Sequence, residues 1–95
     1  MSRFYKSKED ARLMANYYAN QASIEDTKQA LIEKAIRDRI LERLSHSTIT
    51  DEEMQSIIDN LNILKEVREE RDKNLQRAEE AQNEEKAYEA EEEQA

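Results

Sequence analysis

The sequence predicts an all-α fold, and three observations predict it. The chain of 95 residues has no glycine and no proline, so it lacks the residues that most readily turn one strand into the next. Ala, Glu, Gln, Lys, Arg and Leu dominate, and these side chains give up little freedom in a helix. The clearest punctuation, Thr50-Asp51-Glu52-Glu53, is a helix start. The expected architecture is an antiparallel helical hairpin, about 24–45 and 51–80, with coiled-coil-like pairing and an N-terminal helix over about 8–22. The result is a small bundle completed by oligomerisation.

The N-terminal helix begins at Ser7, which with Asp10 makes an S-x-x-D start signal. Ala11, Met14, Ala15, Tyr18 and Ala22 share one face. Asn20-Gln21-Ala22-Ser23 reads as a break, because Ser23 and Asp26 can open a new capped helix. With no glycine there, one continuous helix over 8–44 is the alternative.

In the next segment Ile24, Leu31 and Ala35 lie on one line, while Ile32, Ile36, Ile40 and Leu44 form a row on another side, extended by Leu41. A helix apolar over more than half its circumference is contacted from more than one direction. Residues 45–49 form a short connection typical of antiparallel neighbours. Beyond it, Thr50 and Glu53 make a capping box, Asp51 to Glu53 suit the positive end of the helix dipole, and Ile49 and Met54 make a hydrophobic staple. That helix gathers Met54, Ile57, Ile58, Leu61 and Leu64 within a sector of roughly 120°. Ile63 points nearly the opposite way.

Composition divides the chain into a basic aromatic arm at 1–7, a helical domain at 8–77 and an acidic tail at 78–95. Only 17 of 95 residues are Leu, Ile, Val or Phe, and the net charge is −8. That average describes a disordered chain, yet 14 of the 16 Leu, Ile and Val residues fall between Ile24 and Val67. The tail holds eight glutamates against Lys86. Like charges at i,i+4 and glutamates at a helix C-terminus are both unfavourable, so the last helix should run to about Arg77–Asn83 and then fray or be disordered.

Several functions are excluded. Without cysteine there is no thiol nucleophile or thiolate metal site, and without glycine no phosphate-cradling loop. No apolar run reaches the roughly 18 residues of a membrane span, and no signal-peptide pattern follows the first residues, so the chain reads as soluble and cytoplasmic. His46 is the single histidine, set in a Ser/Thr-rich connection without a second ligand. No catalytic, cofactor-binding or metal residues are expected, and the protein is not expected to be an enzyme.

The N-terminal Arg3-Phe4-Tyr5-Lys6 stretch could meet phosphate and bases. However, residues 46–95 carry a net −10, which argues against nucleic-acid binding. The expected role is a protein–protein interaction module, a small adaptor, assembly or regulatory protein. Ile32, Ile36, Ile40, Leu41, Leu44 and Ile63 are its partner interface, to a second copy (a dimer) or a larger protein. The alternative is an acidic inhibitor, of the virus-encoded kind, in which Glu79, Glu80, Glu84 and Glu85 imitate a polyanion and block a nucleic-acid-binding protein.

Overall fold

A computed structural model describes residues 3–45 and 48–94, so His46 and Ser47 lie outside the described residues. The chain forms two helices, α1 (Lys8–Leu44) and α2 (Asp51–Gln94), and no strand among the described residues. They pair as a hairpin measuring 72 × 19 × 14 Å, a rod two helices thick.

Two of the three predicted start signals are built. Ser7 is the N-cap of α1, its hydroxyl accepting from the Asp10 amide at 3.1 Å. At α2 the Glu53 amide donates to Thr50 Oγ1 at 3.2 Å, and the Thr50 amide donates to Glu53 Oε2 at 3.5 Å. Each partner thus satisfies an orphan donor of the other. Glu53 also meets Arg43 Nε at 2.9 Å, a contact of charges rather than an aligned hydrogen bond, which ties the end of α1 to the start of α2.

Two expectations are corrected. The first is the break over residues 20–23: α1 runs unbroken for 37 residues, so the helices predicted at 8–22 and 24–45 are one. The S-x-x-D signal at Ser23 loses to propagation, because extending a helix adds a hydrogen bond per residue whereas restarting one incurs nucleation again. Ala22 is buried against α2, so packing also holds the junction straight. Thr27 donates its hydroxyl to the Ser23 carbonyl at 3.2 Å, as a mid-helix threonine does.

The second correction concerns the acidic tail. α2 continues to Gln94 instead of fraying near Asn83. The repulsion among its glutamates is offset from the other strand of the hairpin. Glu85 and Glu89 pair with Arg12 at 2.7 and 3.7 Å, Glu92 pairs with Lys8 at 3.0 Å, and Glu91 pairs with Arg3. The basic arm therefore lies along the tail rather than apart from it.

The contact between the helices follows a heptad. On α1 the buried or half-buried positions include Ala11, Ala15, Tyr18, Ala22, Glu25, Gln29, Ile32 and Ile36. On α2 they include Ile57, Asn60, Leu64, Val67, Arg71, Asn74, Ala78, Ala81, Glu85 and Tyr88. Steps of four and three alternate along both, the 3.5-residue repeat of a coiled coil. The residues in those positions are unusual for one. Only the end near the connection is aliphatic. The middle is polar: Arg71 donates to Gln29 Oε1 at 2.5 Å and pairs with Asp26 at 3.4 Å, while Glu25 and Asn74 are buried. Polar seam positions weaken a coiled coil but specify its register.

Candidate interaction surface

Pairing on a narrow seam leaves much of the aliphatic content outside it. Ile40 is 41%, Leu41 58% and Leu44 74% exposed, and Ile24 and Leu31 on the same helix are exposed as well. On α2, Met54, Ile58 and Leu61 are each close to half exposed. At spacings of four and three they form one line along the helix.

Where the two sets face the same side, they flank a groove of about 290 Å³. Ile36, Ile40 and Leu41 of α1 and Leu61 and Leu64 of α2 form its apolar lining, with Glu33 and Arg37 at its margin. Ile36 and Leu64 make the floor, since both are buried. The margin is ordered by hydrogen bonds. Glu33 Oε1 accepts from Gln29 Nε2 at 3.0 Å and from Arg68 Nη2 at 3.0 Å. These two donors hold the Glu33 carboxyl below its ordinary range.

Of the residues predicted as an interface, the groove brings together Ile36, Ile40 and Leu41. Leu44 lies one turn beyond Leu41 and is the most exposed of the set. Ile32 is half-buried in the seam. Ile63 does not join them: it is exposed two residues from Leu61, about 200° around α2, and so on another side of the rod. Leu61 and Leu64 were missed. Their signal was the 120° sector of α2, which is wider than one hairpin seam can cover.

The four glutamates of the acidic reading differ in their partners. Glu84 Oε1 accepts the Tyr5 amide at 3.0 Å, and Glu85 is held by Arg12. Glu80 accepts from Gln76 at 3.2 Å. Glu79 is exposed. Around them the arm is fastened: Tyr88 donates its hydroxyl to the Tyr5 carbonyl at 2.5 Å, and the Arg3 guanidinium stacks 4.5 Å from the Tyr88 ring centre. Burial, with Tyr18 and Glu84 nearby, raises the Tyr5 phenol above its usual value. Glu92 likewise raises Lys8.

Among the described residues no group of three His, Cys, Asp or Glu side chains could hold a metal ion, and no helix is long and apolar enough to cross a membrane. No protein-family model, curated protein or solved structure matches this chain.

Proposed function

We propose that this chain is a non-enzymatic protein–protein interaction module acting through apolar helix faces, with the groove at the connected end as its main contact surface. The observation that supports this reading is the exposure of Ile40, Leu41 and Leu44 beside Leu61. The seam takes Ile32, Ile36, Ile57, Leu64 and Val67 and leaves most of the other large aliphatic residues exposed. Contiguous apolar surface of that kind on a small protein marks an interaction site.

The acidic-inhibitor reading has less support. Two of its four carboxylates, Glu84 and Glu85, are engaged by the chain's own Tyr5 amide and Arg12, so a basic partner would have to displace them.

The test compares proteins retained from a lysate of the source organism by wild type and by Leu41→Glu. Leu41 is exposed enough for the charge to leave folding intact, and circular dichroism checks that. Loss of the specifically retained protein in the variant is the expected result. An identical set from both, with retention abolished by truncation after Arg77, would move the function to the acidic end.

A further inference from the structure

We infer that the groove is filled by a second copy of this chain, the two hairpins overlapping only at their connected ends as an antiparallel four-helix arrangement. This rests on the interaction reading above and names its partner.

A two-fold contact needs one patch that serves as both ridge and groove. Here the groove lies beside its own ridges, Leu41 and Leu44 on α1 and Met54 and Ile58 on α2. The charges at the margin do not oppose a second copy. Glu33 is already paired with Arg68 at 3.0 Å within its own hairpin, so the margin sets no excess negative charge against a second copy.

Size agrees. With Ile40 and Leu61 added, the six aliphatic side chains are between 41% and 74% exposed. They present on the order of 600 Å² of apolar surface, the upper end of what monomers expose. With the polar margin, the patch approaches the roughly 800 Å² that each partner gives to a standard interface.

Charge also selects the arrangement. With the basic arm counted, the free end formed by residues 3–22 and 78–94 still carries a net −5, and a side-by-side parallel pair would bring two such ends together. Overlap at the connected ends sends them to opposite extremes, many screening lengths of about 8 Å apart.

The experiment is sedimentation with small-angle X-ray scattering on the full chain at about 100 µM, above the micromolar Kd expected at the weak end of standard interfaces. The expected particle has twice the 11.2 kDa mass. Two rods of 72 Å overlapping by roughly 25 Å give a maximum dimension of about 120 Å. Leu41→Glu and Leu44→Glu should each raise the dimer Kd about thirtyfold with helicity unchanged. Leu31→Glu, outside the groove, should leave it within about twofold.

A monomer at that concentration, a dimer no longer than one rod, or a dimer indifferent to Leu41→Glu overturns the inference. If copies stay apart while the lysate comparison still finds a Leu41-dependent partner, the second copy is excluded and the interaction reading survives. If both fail, both are wrong.

Discussion

At the connected end, residues 36–44 and 54–64 carry Ile, Leu and Met, and most of these face outward around an open groove. At the other end, where residues 3–22 meet 78–92, the seam is Ala11, Ala15, Ala22, Ala78 and Ala81, all nearly inaccessible, and the surroundings are ion pairs. The greasier end is thus the more open one. Small side chains let helix axes approach to the short end of the usual range, so alanine closes a seam that bulky residues leave ajar. Hydrophobic content and tightness of pairing are different properties, and this hairpin separates them along its length.

The largest expected effect lies at the groove floor. Leu64→Ala should destabilise the chain by about 2–3 kcal/mol, the lower part of the range for such truncations because the site already opens on one side. Urea unfolding followed by circular dichroism measures it, and a loss below 1 kcal/mol would show that the connected end contributes little to folding. At the closed end the opposite change is informative. Ala81→Leu, at a position with no accessible surface, should cost about 1–3 kcal/mol by overpacking. A neutral result would mean that the alanine seam is looser than its burial indicates.

A smaller loss, about 1 kcal/mol, is expected for Thr50→Ala, which removes the cap that begins α2. Thr50→Ser should restore most of it.

The smallest effects are ionic and belong to the closed end and the groove margin. Lys8 is raised above its ordinary 10.5 by Glu92. Its contribution is therefore complete below that pH and lost as pH rises through the raised value. Glu33 is lowered from its ordinary 4.5, so its contribution is present above that pH and lost as pH falls through the lowered value. Both groups are only partly covered and are screened by salt. Amide exchange near Lys8 should accelerate at alkaline pH before exchange at the seam alanines does. Uniform acceleration along the chain would deny the free end a separate clamp.

Much of this fold was legible in the sequence, but the seam was not. The helical class, the connection and the capping box at Thr50 follow from local chemistry, and local chemistry decides them. The heptad was hidden because its occupants include Ala22, Glu25, Gln29, Arg71 and Asn74, which a search for apolar periodicity passes over. The same search grouped Ile58 and Leu61 with Ile57 and Leu64 in one sector of α2, although pairing buries the latter two and leaves Ile58 and Leu61 half exposed. The continuous α1 and the long α2 depend on the opposite helix, on Ala22 packing and on Arg12 reaching Glu85. A reading of one strand at a time cannot contain that information. Of the proposed contact residues, Ile36, Ile40 and Leu41 were visible as a row on α1, whereas Leu61 and Leu64 became part of the groove only once α2 had a direction.

The single reversal at residues 45–50 has a practical result. Arg3 and Glu91 meet, so both extremities of the described chain emerge together, at the end of a 72 Å rod remote from the groove. A fluorophore, a surface tether or a fused carrier attached at either extremity would stand clear of that groove, and the hairpin itself would act as the spacer.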